Sequence, residues 1–509
     1  MTLCTNLPSN LQGVDVIIAG GGSAGCIVAA RLADADPKLS ILIIEGGTNN
    51  FERSDFDAWE TPGWSANELL PYLKKLETYH GEDKTSCHGN DGPIHVSGST
   101  YRASRLENDF ITAVTKLGYP VVDDLNNLDT GNGVMRALRY VNPQGKRQDT
   151  AHTYIHPRLK DGEHPNLHVL TESLVERILF EGTRAVGVSY KPNQTLQPDA
   201  DNAVRTVKAR KLVILSCGAL GTPLVLERSG VGSSDILQRA SVDLVADLPG
   251  VGCRYQDHHM MLYPLGPAFQ EAWNREFRDV PDKPMMIMSL VACFPGDPSS
   301  VPVGQYFGIA TFSLYPYSRG YVHITGPGLE HQPDLDLGFL ADPNGVDLKK
   351  HVWIYKKHRE IIRWMKVYRG ELAPGHPPFP AYSQAAPITI NNPLEDVKDI
   401  KYTAEDDAII EEWIRGHVDT TWHSLGTCKM APREEFGVVD ECPSVYGVEG
   451  LKIADLSIPP SNVGANTNNT ATAIGEKAAD IFIRELGLGT NFSNSQLHIA
   501  EDNTFLLQV

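Results

Sequence analysis

The strongest constraint on this chain is a glycine-rich turn near residue 20, which lies between a predicted strand and a predicted helix. Residues 14–19 are apolar apart from Asp15 and largely β-branched, which is typical of a buried parallel strand. The run Gly20-Gly21-Gly22-Ser23-Ala24-Gly25 follows directly, satisfies G-x-G-x-x-G and opens a predicted amphipathic helix that ends near residue 36. A second apolar strand at residues 41–44 ends in Glu45. This order of elements predicts a βαβ unit that binds a dinucleotide.

The parts of this unit have separate physical roles. Gly20 permits the tight turn, Gly22 lets a pyrophosphate approach the backbone, and Gly25 lets helix and strand pack closely. The helix N-terminus offers free N–H groups and the positive end of the helix dipole. A carboxylate at Glu45 can accept hydrogen bonds from both ribose hydroxyls. The unit alone does not distinguish FAD from NAD, and a purely structural glycine turn is the less favoured alternative.

Length and charge limit the classes of protein that this chain can belong to. Its 509 residues are too many for one ordinary domain, so we expect at least two lobes. The net charge of −18 argues against nucleic acids and anionic membranes as partners, because both recruit a positive face. The sequence shows no signal peptide, no membrane-spanning run and no peroxisomal tripeptide at its end, and its eight cysteines are scattered without metal-ligand spacing. We therefore expect a cytoplasmic protein without a bound metal.

Four further blocks of sequence carry specific patterns. They are residues 218–232 (GALGTPLVLERSGVG), 422–427 (WHSLGT), 450–455 (GLKIAD) and 462–467 (NVGANT). Together with the N-terminal unit, these blocks resemble the glucose–methanol–choline (GMC) family of flavin oxidoreductases, and within it the fungal and yeast short-chain alcohol oxidases. The resemblance runs from about residue 14 to residue 486, and its motifs are specific because they are widely separated and occur in the family's order.

The resemblance implies an α/β fold, α+β overall, with two lobes. One is a Rossmann-like FAD-binding lobe built on a parallel sheet, and the other is a substrate lobe with an antiparallel sheet flanked by helices. The implied pieces are 1–50, 165–260 and 440–486 for the FAD-binding lobe, 51–164 (mostly) and 261–439 for the substrate lobe, and 487–509 for a C-terminal tail.

The resemblance also implies a reaction and the residues that perform it. A primary alcohol is oxidised to an aldehyde by hydride transfer to flavin N5, with oxygen as acceptor and hydrogen peroxide as product. His423 matches the family's base, and Asn466 matches the group that orients the hydroxyl. A histidine suits the first task because its ordinary pKa of about 6.5 lies near neutral pH. The alternatives are a structural hydrogen-bonded histidine at 423 and an ordinary turn residue at 466.

The residues that the resemblance assigns to FAD lie in both terminal regions, and Val175 offers backbone contacts to the adenine. They are Gly20, Gly22, Ser23, Ala24, Gly25, Glu45, Val175, Asp455, Gly464, Ala465, Asn466 and Thr467. The partners implied are a small alcohol and oxygen or another electron acceptor. A homo-oligomer is compatible with the resemblance, but the sequence identifies no interface.

Several local segments carry predictions of their own. Residues 166–170, 306–314 and 320–325 are predicted strands, and residues 192–206 are a predicted surface hairpin excursion. The charged helix at 349–366 is predicted to lie on the surface. The run Asp257-His258-His259 is predicted to be structural rather than metal-binding, and the acidic residues at 334–336 are predicted to form a solvated loop.

The chain departs from the family at two places. Near residues 48–51 it lacks the glycine- and serine-rich segment that covers the flavin in relatives, and near residues 265–269 it lacks a stretch of the substrate lobe. We therefore expect a flavin that is less enclosed, and weakened cofactor binding. Besides an oxidase, the sequence leaves open a dehydrogenase with another acceptor, a remnant without turnover, and a lyase that keeps FAD for structure.

Overall fold

The computed structural model describes residues 2–4, 13–44, 53–82, 86–100, 102–128, 130–261, 284–291, 299, 304 and 306–488. Four predicted features lie outside the described residues: Glu45, the junction near residues 48–51, the junction near residues 265–269 and the C-terminal tail from residue 489 onward.

Helices and strands are numbered in chain order over these residues. The helices are α1 (Ser23–Ala35), α2 (Arg53–Asp57), α3 (Ala66–Leu76), α4 (Ser104–Lys116), α5 (His156–Lys160), α6 (Gly218–Arg228), α7 (Ser234–Arg239), α8 (Val346–Arg363), α9 (Ala404–His417) and α10 (Asn468–Glu485). A π-helix, Ala151–Ile155, leads into α5. The strands are β1 (Thr2–Cys4), β2 (Gly13–Ala19), β3 (Ile41–Ile44), β4 (Glu77–Tyr79), β5 (Ile94–Val96), β6 (Leu167–Leu170), β7 (Ser173–Glu181), β8 (Arg184–Pro192), β9 (Arg205–Leu215), β10 (Val231–Gly232), β11 (Ala246–Asp247), β12 (Cys253–Tyr255), β13 (His259–Met261), β14 (Met286–Val291), β15 (Gly308–Ser313), β16 (Gly320–His323), β17 (Asp334–Asp336), β18 (Asp419–Thr420) and β19 (Leu451–Ile453).

The largest sheet combines strands from distant parts of the chain. Its order is β1-β6-β3-β2-β9-β8-β7, and β19 also pairs with β9. The pairs from β1 to β9 and the β9–β19 pair are parallel, whereas β8 pairs antiparallel with both β7 and β9. Residues 16–19 are fully buried, which agrees with the apolar run that predicted a covered parallel strand. The α/β fold class predicted from the sequence is confirmed, and the exact division into lobes stays a prediction.

Helices α1 and α10 cross closely on one face of this sheet. A Cβ atom on Gly475 would lie 2.8 Å from the Cα of Ala24, so only glycine permits this approach. The buried carboxylate of Glu476 then binds Arg31 through two hydrogen bonds from Nε and one from Nη2, and it contacts Lys75 at 2.7 Å. These contacts tie α1, α3 and α10 together.

Two smaller antiparallel sheets lie beyond the large sheet. Their orders are β14-β15-β13-β18 and β12-β16-β17. The predicted strands at 306–314 and 320–325 are therefore present, as β15 and β16, but in different sheets. Residues 193–204 connect the antiparallel strands β8 and β9, as the predicted excursion requires. The acidic segment 334–336 is exposed, but it forms strand β17 rather than a loop.

The prediction of a surface helix at 349–366 is wrong. Helix α8 buries the side chains of Lys350 and Arg359 because each has an acidic partner inside the protein. Lys350 lies 3.3 Å from Asp347, with both side chains fully buried, and Arg359 pairs with Glu371 at 2.6 Å. These internal ion pairs stabilise the buried charges, so the charge pattern does not require that the helix be exposed to solvent.

None of the helices among the described residues is long and apolar enough to cross a membrane, and none of the His, Cys, Asp and Glu side chains of these residues form a group of three or more able to hold a metal ion.

Candidate active site

The glycine turn between β2 and α1 has the geometry that its sequence predicts. Gly20 has a φ of +98°, and a Cβ there would lie 1.9 Å from the carbonyl oxygen of Ser216. A Cβ on Gly25 would lie 2.2 Å from the carbonyl oxygen of Gly20. Gly22 caps α1 without any side-chain hydrogen bond, and the first turn contains no acidic residue. The N–H groups of this helix end therefore remain available to an anion.

A second helix N-terminus meets the first one. Ser23, the first residue of α1, donates its hydroxyl to Oδ1 of Asn468, the first residue of α10, at 2.6 Å. The hydroxyls of Thr467 and Thr470, at the same end of α10, are buried with no hydrogen-bond partner among the described residues. Two positive helix ends and buried hydroxyls without partners are suited to a large polar ligand with negative charge.

Two other predicted cofactor residues lie elsewhere along the large sheet. Asp455 follows β19 and is buried, and it accepts hydrogen bonds from Gly218 N at 3.0 Å and from the hydroxyl of Thr222 at 2.5 Å. Burial raises the pKa of the Asp455 carboxyl, although these donors oppose the rise. Asp455 therefore joins β19 to the start of α6. Val175 lies in β7 opposite Tyr190, next to a bulge in the pairing of β7 and β8.

His423 is held by its backbone directly after strand β18. Its N–H donates to Oδ1 of Asp257 at 3.1 Å, and the same carboxylate oxygen accepts the Thr421 hydroxyl at 2.9 Å. The Thr420 hydroxyl donates to the other oxygen of Asp257. His423 is only 8% exposed, whereas its neighbour Trp422 has a φ of +60° and is 77% exposed. The turn thus directs the side chain of Trp422 outward and that of His423 inward.

The imidazole of His423 contacts a second buried histidine. Its Nδ1 lies 2.9 Å from Nδ1 of His258, and the two ring planes cross at 87°. The other ring nitrogen of His258, Nε2, lies 2.6 Å from the carbonyl oxygen of Val463. His258 therefore connects His423 to the loop that contains Asn466.

That loop, residues 462–466, is held by buried polar contacts. Gly464 N donates to Oδ2 of Asp55 at 2.8 Å, and Asn462 N donates to Oε1 of Gln256 at 3.1 Å. The side chain of Asn466 lies near the His423 imidazole and raises its pKa. The structure thus places His423, Asn466 and Gly464 near one another, and the roles given to them from the sequence stay predictions.

Both histidines are neutral at neutral pH. Burial lowers the pKa of His423 to about 4, and the interaction of its ring with the side chain of Asn466 opposes this fall. Burial also holds the pKa of His258 well below its usual range, and the neighbouring His423 adds to the effect. A neutral buried imidazole beside a carboxamide can accept a proton from a bound hydroxyl group.

Three residues that hold this site were not predicted from the sequence to do so. Asp257 and His258 were predicted to be structural only, yet both contact His423, and Asp55 was not singled out although it holds Gly464. The signal for the first two was available, because an Asp-His-His run is an unusual set of side chains to bury without a metal. Asp55 had no comparable signal in the sequence.

The chain belongs to the GMC oxidoreductase family. The family's N-terminal model matches residues 50–260, and its C-terminal model matches residues 316–475. Among curated relatives, an alcohol oxidase of Candida boidinii is 34% identical, with 95% of this chain and 96% of that protein covered. An alcohol oxidase of Pichia angusta is 33% identical, with 96% and 97% covered. An FAD-dependent oxidoreductase from Chaetomium thermophilum has the same fold, with a TM-score of 0.72, 22% identity, and 94% and 100% of the two chains covered.

The alignment with the Candida boidinii protein also shows that this chain is shorter inside its span. The alignment covers 648 positions, whereas 95% of the 509 residues here is only about 484 residues. About 160 alignment positions therefore lie opposite gaps in this chain. This length difference agrees with internal losses, and the two places predicted from the sequence stay predictions.

FAD is the cofactor of this family. The described part of the site fits its pyrophosphate, because the turn at Gly20 and Gly25 has no room for a side chain and the N-terminus of α1 has no side-chain cap. The buried, unpaired hydroxyls of Thr467 and Thr470 fit a polar group at the start of α10.

Proposed function

We propose that this protein is an FAD-dependent alcohol oxidase that converts a primary alcohol to an aldehyde and reduces oxygen to hydrogen peroxide. The observation that carries the proposal is the buried, neutral imidazole of His423, which lies beside the half-buried carboxamide of Asn466. The relatives named as alcohol oxidases support the substrate class and the acceptor.

The two side chains divide the work at the alcohol oxygen. His423 takes the hydroxyl proton, and Asn466 donates an amide hydrogen to the same oxygen and fixes its position. Bound FAD would supply the acceptor for the hydride that leaves the carbinol carbon. The protonated imidazole then places a positive charge in a buried site, where it favours electron transfer to oxygen. Because burial lowers the pKa of His423 to about 4, the proton is readily released afterwards.

The residues that would hold FAD are those predicted from the sequence, and they divide by position. The glycine turn and the start of α1 would bind the pyrophosphate, Glu45 the ribose and Val175 the adenine, and the residues near α10 would lie beside the ring. The complete set is Gly20, Gly22, Ser23, Ala24, Gly25, Glu45, Val175, Asp455, Gly464, Ala465, Asn466 and Thr467. A homo-oligomer and a cytoplasmic location remain expectations.

A variant at His423 tests the proposal. Purified protein reconstituted with FAD is mixed anaerobically with a short primary alcohol, and loss of the oxidised flavin absorbance is followed. We expect His423→Ala to slow this reduction by about 10²–10⁴-fold, because general base catalysis contributes that much. His152→Ala, at a side chain that is 64% exposed, serves as the control and should react like the native protein. Reduction at the native rate in His423→Ala would contradict the proposal.

Admitting air distinguishes the acceptor. An oxidase forms one hydrogen peroxide for each alcohol oxidised, whereas a dehydrogenase forms none until an artificial acceptor is added. Native protein that binds FAD but is not reduced by any alcohol would favour the remnant or the lyase instead.

A further inference from the structure

His258 is fully buried, and both of its ring nitrogens have a defined partner. Nε2 lies 2.6 Å from the carbonyl oxygen of Val463, and Nδ1 lies 2.9 Å from Nδ1 of His423. A carbonyl oxygen only accepts hydrogen bonds, so the proton of neutral His258 is on Nε2. Nδ1 of His258 then has a free lone pair and accepts.

This assignment determines the protonation of the neighbouring ring. Since Nδ1 of His258 accepts, Nδ1 of His423 must donate to it. A neutral imidazole carries one proton, so the second nitrogen of His423, Nε2, has a free lone pair. That nitrogen is the one able to take a proton from a hydroxyl group.

We propose that His258 is a positioning residue that holds His423 in the tautomer with the proton on Nδ1, so that Nε2 is the base for the alcohol. The inference rests on the proposed function, because it assumes that His423 is the base. The order of contacts is Val463 carbonyl, His258, His423 and the alcohol. It resembles the logic of a catalytic triad in which the third member is a neutral imidazole rather than a carboxylate.

The surroundings of His258 keep it neutral and therefore able to accept. The ionisable groups that face it are His423, His259 and the ammonium group of Lys350, and each of them disfavours a second positive charge. The nearby carboxylate of Asp257 is occupied by the hydroxyls of Thr420 and Thr421 and by the N–H of His423. Asp257 thus fixes the backbone of His423, and His258 fixes its ring.

The same contact supports the charge that forms during the reaction. When the alcohol proton binds to Nε2, His423 becomes an imidazolium, and the electron pair of the carbinol C–H bond leaves as hydride to the cofactor. The Nδ1–H of the imidazolium continues to donate to the lone pair of His258, and this hydrogen bond becomes stronger with the charge.

Two matched variants separate this role from mere support of the loop. In His258→Asn the amide oxygen can occupy the place of Nδ1 and still accept from His423, but the donor to Val463 is lost. In His258→Gln the amide nitrogen can reach the place of Nε2 and still donate to Val463, but the acceptor for His423 is lost. Anaerobic flavin reduction by a short primary alcohol is measured for both, with flavin content and thermal midpoint recorded for each.

We expect His258→Gln to reduce flavin about 10–100-fold more slowly than the native protein, the size of effect that removal of an orienting partner has elsewhere. We expect His258→Asn to retain most of the rate. The reverse order would overturn the inference and show that His258 acts by holding Val463. Equal native rates in both variants would also overturn it.

A spectroscopic measurement on the native chain keeps the inference testable if the variants fold poorly. Two-bond ¹H–¹⁵N spectra of protein labelled with ¹⁵N-histidine report which ring nitrogen is protonated, and the signal missing in His423→Ala identifies His423. We expect a protonated Nδ1 and a bare Nε2, and the opposite pattern would refute the inference. If His423→Ala reduces flavin normally, the proposed function fails. If that variant is slow but the tautomer is the other one, only the inference about His258 fails.

Discussion

The carboxylate of Asp55 accepts the backbone N–H of Gly464 at 2.8 Å, and both residues are buried. This bond joins the short helix α2 to the loop that carries Asn466, across 409 positions of sequence. His258 contacts the carbonyl oxygen of Val463, the preceding residue. The loop is therefore held at two adjacent residues, through the carbonyl of Val463 and the N–H of Gly464.

Removing the acceptor at position 55 should loosen this loop. We expect Asp55→Ala to slow flavin reduction by about 10–100-fold, because a lost hydrogen bond to a charged group is worth about 1.5–3 kcal/mol and a barrier change of about 1.4 kcal/mol is tenfold in rate. Asp55→Asn retains an acceptor and should be affected less. Stopped-flow absorbance under anaerobic conditions measures both rates, and equal rates in the two variants would exclude the role given to Asp55.

The close contact at Gly25 predicts a loss of cofactor binding when a side chain is added. A Cβ there would lie 2.2 Å from a backbone oxygen, so Gly25→Ala must move α1 away from β2. We expect a destabilisation of about 1–3 kcal/mol and weaker FAD binding, measured by urea unfolding and by flavin fluorescence. Gly416→Ala is the matched control, because nothing lies within 4 Å of its Cβ position. A Gly25→Ala protein with native affinity for FAD would show that this contact is not needed.

The buried carboxylate of Glu476 is predicted to stabilise the crossing of α1 and α10. The positive charge of Arg31 beside it holds the pKa of Glu476 below its usual range, although burial acts in the opposite direction. Glu476→Gln removes the buried carboxylate beside Arg31, and we expect a loss of about 2–3 kcal/mol, less than for a fully buried pair because water reaches Lys75 and Asp34 still lies 3.9 Å from Arg31. Urea unfolding measures the change. Asp396→Asn, in a surface pair with Lys398, should have no measurable effect.

Acid should destabilise the protein partly through His351 in α8. Burial lowers the pKa of His351 to about 3, so the unfolded chain binds this proton below pH 6.5 whereas the folded chain does not until about pH 3. The stability due to the neutral ring is therefore complete above pH 6.5 and is lost as the pH falls towards 3. Between pH 7 and pH 5 we expect His351→Leu to lose about 2 kcal/mol less of its unfolding free energy than the native protein. His417→Leu, at an exposed position, should lose as much unfolding free energy between pH 7 and pH 5 as the native protein does. The same loss in His351→Leu would refute the prediction.

The parts of the molecule that sequence predicts well are those with local signals. The first strand, the glycine turn and helix α1 follow from apolar periodicity and from glycines at required spacings, and Gly20 and Gly25 lie where those spacings demand. His423 and Asn466 were found by resemblance, since their contact spans more than 40 residues and has no local pattern.

The rest depends on contacts that no local pattern encodes. His258 and His423 are 165 positions apart and meet only after several sheets have formed. The charge pattern of α8 predicts a surface helix because the sequence does not show the acidic partners of its buried cations. Asp347 lies one turn away from Lys350, but Glu371 reaches Arg359 from beyond the end of the helix.

The parallel pairing of β19 with β9 limits when this protein can finish folding during synthesis. Strand β2 and the glycine turn leave the ribosome first, yet they lie beside β9, and β9 in turn waits for residues 451–453. Helix α10, whose first residue, Asn468, accepts a hydrogen bond from Ser23, follows later still. Until residues 451–453 emerge, the nascent chain therefore displays an unfinished sheet with apolar strands, a state that favours chaperone binding.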